Sequence, residues 1–141
     1  MADINIGAIS EVLNNKVDLP AGDSQDGIDF VVDWQNPTEA NGYTWYRKYK
    51  SGWVEQGGHT TAFTNTASDT SDDKTVSLPV NMLDSNYSVT ATRAGGGSGW
   101  SVRELNVSNK ATTGFTINEW NNTAASGTTC YAEWQVSGMA A

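Results

Sequence analysis

The stretch that decides the reading of this chain is Tyr43–Gly58, YTWYRKYKSGWVEQGG. Five of its sixteen residues are aromatic, three are basic, and it ends in a glycine pair. TWYRKY alternates Trp45, Arg47 and Tyr49 on one face with Tyr46 and Lys48 on the other. Ser51-Gly52 then turns the chain and WVEQGG returns, which is the pattern of a β-hairpin. Alternation along a hairpin assigns several of these rings to packing rather than to an open platform. Gly57 and Gly58 predict a bulge or the close approach of a neighbouring backbone.

Working outward, IDFVVDWQ before the hairpin alternates Ile28, Phe30, Val32 and Trp34 against Asp29, Val31, Asp33 and Gln35. Beyond the glycine pair, HTTAFTN extends the hairpin, and TNTASDTSDD at 64–73 reads as a polar loop. TVSLPV carries Val76, Leu78 and Val80 on one face, with Pro79 marking an edge or a short strand. YSVTATR sets Tyr87, Val89 and Ala91 against Ser88, Thr90 and Thr92. WSVRELNVSN and TTGFTINEWN read as two further strands. In TTCYAEWQVSG an apolar face of Cys130, Ala132, Trp134 and Val136 opposes Tyr131, Glu133, Gln135 and Ser137. Regular short strands divided by turns predict an all-β fold, an antiparallel β-sandwich of seven to nine strands.

The start of the chain differs. Ile6, Ile9, Leu13 and Val17 form a helical stripe over INIGAISEVLNNKVDL, followed by the turn-rich DLPAGDSQDG. The stripe is short, so periodicity alone fits either a helix folded onto the domain or one that associates with its own copies. The expected organisation is therefore a helical stalk remnant and linker over 1–27, then the sandwich over 28–141.

Bulk properties remove several function classes. The 141 residues carry a net charge of −8, and the basic residues cluster only at Arg47, Lys48 and Lys50. Nucleic-acid binding needs a larger basic footprint, so it is not expected. Nor is membrane insertion, since no apolar run of spanning length occurs. Cys130 is the lone cysteine and His59 the lone histidine. The acids at 18, 23, 26 and 29 lack the spacing of a calcium loop. No nucleophile elbow and no phosphate loop is present, and AGGGSGW lies between strands with no helix to follow it. No cofactor and no metal are implied within one chain; three His59 side chains around a trimer axis would be the one geometric route to a metal. The carboxylates Glu55, Asp72, Asp73, Glu104, Glu119 and Glu133 are too many and too scattered to single out a hydrolytic pair.

Of the six tryptophans, Trp34, Trp45 and Trp134 are expected in the core, with Trp53 packed across its own hairpin. Trp100, after a glycine-rich run, and Trp120, in NEWNN, are the expected surface aromatics, suited to a sugar face or a protein partner.

The hairpin resembles a segment found in C-terminal domains of tailed-phage tail fibres, which reads W-Y-x-x-Y-x-x-G-W-x-E-Q-G-G. Trp45, Tyr46, Tyr49, Gly52, Trp53, Glu55, Gln56, Gly57 and Gly58 match it position by position. LNNKVDLP, VSLPVNMLDSNYSVT and the final WQVSGMAA are similar to other segments of such proteins. The resemblance implies a homotrimer at a fibre tip, in the virion, made in the host bacterial cytoplasm. It turns the N-terminal stripe toward self-association as a stalk remnant. The implied function is adhesion to a bacterial surface glycan or outer-membrane protein, without catalysis. A trimerising end cap and, less favoured, a glycan-degrading enzyme are the alternatives. Receptor contacts are expected in the loops at 64–73, 93–101 and 119–127, with Arg93, Trp100, Arg103, Trp120 and Asn121 as candidates. The hairpin itself is expected to be structural. A negatively charged tip is repelled by exposed phosphates, so a neutral glycan or a protein suits it better.

Overall fold

The computed structural model describes residues 29–64, 70–95, 103–121 and 130–141. The helical stripe, Trp100 and most of the three candidate loops lie outside them. The described strands are β1 (Val31–Gln35), β2 (Trp45–Tyr49), β3 (Trp53–His59), β4 (Thr70–Ser77), β5 (Ser88–Gly95), β6 (Arg103–Ala111), β7 (Gly114–Asn121) and β8 (Cys130–Met139). All pairings are antiparallel. They form a five-stranded sheet in the order β1-β2-β3-β8-β5 and a three-stranded sheet in the order β4-β7-β6. The fold is all-β and sandwich-like.

Period-two patterning builds the core. Ala132, Trp134 and Val136 of β8 are buried while Glu133 and Gln135 face out. From the opposite sheet come Val76 of β4 and Phe115 and Ile117 of β7. Phe115 meets Trp134 edge-on, centroids 5.7 Å apart at 82°, a favoured aromatic geometry. Each such side chain contributes roughly 1.5–3 kcal/mol by leaving water.

The hairpin joins this core through Val54, with Tyr46 packed against it, and through one polar residue. Gln56 is fully buried. Its Nε2 donates to the Val80 carbonyl at 2.9 Å and its Oε1 accepts from the Val80 N–H at 2.9 Å. The side-chain amide thus pairs with the β4–β5 connection as another strand's backbone would, satisfying both polar groups of Val80. Tyr87 makes a second tie, its hydroxyl lying 2.9 Å from the Ala111 carbonyl and 2.8 Å from that of Gly114, at the β6–β7 turn.

Three expectations are corrected. Trp34 is 62% exposed and Trp45 is half-buried on the outward face. Alternation placed both on an apolar face directed at the core, but the register sets Trp34 opposite Arg47, on the face that also carries Trp45 and points away from the three-stranded sheet, and Phe30, Val32 and Trp34 stay in solvent. The segment 70–73 is strand: Asp72 pairs with Glu119 and Asp73 with Asn118. There the acids are matched, Asp72 by Lys74 and Thr64 and Asp73 by the Asn118 amide at 2.7 Å. Finally, β2 and β3 pair without a bulge at the glycines. Side chains, not backbone, come close: a Cβ on Gly57 would lie 2.7 Å from the Trp45 indole, and one on Gly58 would lie 3.0 Å from that of Trp134.

Candidate functional site

The outward face of the five-stranded sheet is open. Strand register sets its composition, because paired residues share a face. Trp45 pairs with Gly57, Gly57 with Gln135, and Gln135 with Thr90. One rung further, His59 pairs with Glu133 and Glu133 with Thr92. The Trp45 ring therefore covers the bare Gly57 backbone and rises beside a floor of hydroxyl, amide and carboxylate side chains.

Two shallow grooves flank this ring. One, of about 390 Å³, is walled by Tyr43, Trp45 and His59 and floored by Thr90, Thr92, Glu133 and Gln135. The other, of about 280 Å³, runs from Trp45 toward Glu55, Ser88 and Ser137. They share Trp45, Thr90 and Gln135, so together they make one trough across β3, β8 and β5.

The walls are built locally. Tyr43 takes a left-handed backbone, φ 59°, after Gly42 at φ 66°; its N–H donates to the Thr38 carbonyl at 2.8 Å. A tyrosine in that region is held by its surroundings. Its ring meets His59 at 5.0 Å, and His59 meets Tyr131 at 5.1 Å, giving a row of three rings. The Arg47 guanidinium carbon lies 6.0 Å from the Trp45 centroid. Tyr49 donates to Glu55 at 3.1 Å, and this hydrogen bond, with burial, raises its hydroxyl above the ordinary tyrosine range.

The floor is uncommitted. The side chains of Thr90, Thr92, Glu133 and Gln135 make no hydrogen bond among the described residues, and all four are exposed. No lysine or arginine lines either groove. Glu55 pairs with Ser137 and Glu133 lies four residues away along β8, which separates the Cα atoms of the two acids by about 14 Å at ~3.4 Å per residue and one strand spacing. Among the described residues no three His, Cys, Asp or Glu side chains gather as a metal site. Glu119, a further acid, is buried and accepts from the Cys130 thiol at 3.0 Å.

The five candidates from the sequence are not brought together. Arg93 pairs with Ala132 and points, half-buried, between the sheets. Trp120 is 42% exposed on the outward face of the other sheet, between Ser71 and Glu104. Arg103 and Asn121 pair across β6 and β7, and their side chains, like Trp100, lie outside the described residues. Of the hairpin motif, Tyr46 and Gln56 face inward, Trp45 and Glu55 line the trough, and Gly57 underlies the indole. Trp53 is 40% exposed and pairs with Met139 of β8. Loop-based reasoning missed Thr90, Thr92, Glu133 and Gln135; the signal was their polar alternation opposite an apolar face.

No protein-family model matches the chain, and no curated protein or solved structure is significantly similar to it.

Proposed function

We propose that this chain is a binding module, the receptor-binding tip of a tailed-phage tail fibre, which acts as a homotrimer and attaches the virion to a bacterial surface receptor, glycan or outer-membrane protein. The observation that carries the reading is the open outward face of the five-stranded sheet: rings standing beside uncommitted polar side chains on a rigid, hydrogen-bonded frame. Such a surface suits recognition. The hairpin resemblance supplies the fibre-tip context.

Phe30, Val32 and Trp34, exposed on an edge strand, favour contact between copies. The same row suits a second reading, a trimerising end cap without receptor contact. Adsorption of the purified protein to candidate host cells, with competition against intact phage, separates the two. Binding that blocks the phage supports the tip; a trimer that neither binds nor blocks is a cap. Light scattering tests the assembly, and a stable monomer refutes the trimer.

A further inference from the structure

We infer that the trough between Trp45 and β5 is a saccharide-binding site, and that its ligand is a neutral pyranose chain. This rests on the adhesin reading and names the chemistry of its contact surface.

A pyranose presents two kinds of surface, C–H faces that pack on aromatic rings and hydroxyls that need paired donors and acceptors. The trough offers both on adjacent strands. Trp45 and Tyr43 form the apolar wall. Thr90 and Thr92 can donate and accept, Gln135 offers an amide, and Glu133 accepts only. All four are exposed and spend no hydrogen bond on the protein among the described residues, so a ligand meets groups with nothing to break. The two grooves, of about 390 and 280 Å³, meet at Trp45. That is room for more than one sugar ring, with the indole at the junction.

Charge selects the ligand further. Glu55 and Glu133 lie at opposite ends of the trough, and no lysine or arginine lines it. Phosphorylated sugars and uronic or sialic acids would face two carboxylates against one nearby guanidinium, that of Arg47, which is paired across the strands with Glu55, and the chain's net charge of −8 adds to that repulsion. A neutral chain meets no such penalty. The form of the ring wall is set by the bare Gly57 backbone. Any side chain there would lift the indole, since a Cβ would sit 2.7 Å from its Cε2, Cζ2 and Nε1 atoms.

The test uses the full chain and a panel of neutral oligosaccharides of glucose, galactose, mannose and N-acetylhexosamines, two to six residues long, with uronic, sialylated and phosphorylated counterparts. Binding is read by tryptophan fluorescence and saturation-transfer NMR. At least one neutral member is expected to bind, with its charged counterpart weaker. Trp45→Ala and Gln135→Ala should each weaken it roughly tenfold, the scale of losing one aromatic or hydrogen-bonded contact. Gln135 is exposed, so Gln135→Ala keeps the test valid if Trp45→Ala fails to fold, and Gly57→Ala, which displaces the ring without removing it, should act in the same direction. The proposal is overturned if no neutral member binds, if charged members bind better, or if the variants leave binding unchanged. It is also overturned if Trp45→Ala and Gln135→Ala change the oligomeric state seen by light scattering, since a second copy then covers this face. Adsorption to cells separates this site from the adhesin reading. Oligosaccharide binding without adsorption to any host removes the adhesin and keeps the trough. Undiminished adsorption by the variants removes the trough and keeps the adhesin.

Discussion

Replacing Gln56 with leucine should be among the most damaging single changes in the hairpin, for a reason that hydrophobicity alone would miss. Leucine fits the apolar surroundings but offers nothing to Val80, whose N–H and C=O both bond to the Gln56 amide at 2.9 Å. Val80 cannot be altered to compensate, because the groups are backbone. Both hydrogen bonds to Val80 disappear, each worth about 0.5–1.5 kcal/mol net, together with a weaker one from Nε2 to the Met82 sulfur at 3.1 Å, and the orphaned Val80 groups add a desolvation cost. Val80 is only half-buried, so water recovers part of that cost. The expected loss is roughly 2–4 kcal/mol, or on the order of 8–16 °C in Tm for a domain of this size. Urea unfolding at fixed protomer concentration measures it. A Gln56→Leu protein within about 0.5 kcal/mol of the parent would refute the argument that the amide substitutes for a strand. Gln56→Glu sharpens the test. Its protonated form can still donate to the Val80 carbonyl, whereas its carboxylate sets two acceptors against each other. The folded-state pKa of the new acid is thus raised, so stability is best below about pH 4 and falls as pH rises through that raised value.

Asp72 provides a pH test of opposite sign. Burial alone would raise its carboxyl, but the Thr64 N–H and hydroxyl and the Lys74 ammonium outweigh it and hold it below the usual carboxylate range. Its stabilisation is present above pH 4 and lost as pH falls through the depressed value; Asp72→Asn should cost about 1 kcal/mol at pH 7 and flatten the acid limb of a stability–pH profile. Tyr87→Phe removes the hydroxyl between the Ala111 and Gly114 carbonyls and should cost about 1–1.5 kcal/mol by thermal unfolding. Gly114→Ala would drive a Cβ into the Val76 carbonyl oxygen and should cost more than about 2 kcal/mol, seen as a lowered urea midpoint or as insoluble protein. Phe30→Ser with Trp34→Ser should leave the unfolding transition of the protomer nearly unchanged, since both are exposed, while shifting light scattering from the proposed trimer to monomer.

The elements legible in the sequence were those whose patterning has one explanation. Cys130, Ala132, Trp134 and Val136 are buried in alternation, and the hairpin turns at Gly52, φ 89°. Alternation says which residues share a face, however, and not what lies above that face. Trp34 and Trp45 were therefore assigned to the core, although their face of the five-stranded sheet points away from the three-stranded one. The acids of β4 looked like loop because their partners, Lys74 apart, come from elsewhere: Thr64 before the strand and Asn118 on β7. The trough was beyond reach for the same reason. It exists only because β8 inserts between β3 and β5, bringing Trp45 within one groove of Gln135 and Thr90, and strand order is set by long-range packing that local spacing does not encode.

That insertion has a further consequence for how the protein is made. β8, the strand that joins β3 to β5 in the larger sheet, is the last of the eight described strands to leave the ribosome. The meander β1-β2-β3 and the three strands of the smaller sheet can pair as they emerge, but β3 and β5 must wait, each with an unsatisfied edge and an apolar face. Synthesis at about 5–20 residues per second holds the nascent chain in that half-sheet state for seconds. During that interval neighbouring nascent chains can pair edge to edge, and a folding helper that shields strand edges would act on β3 and β5.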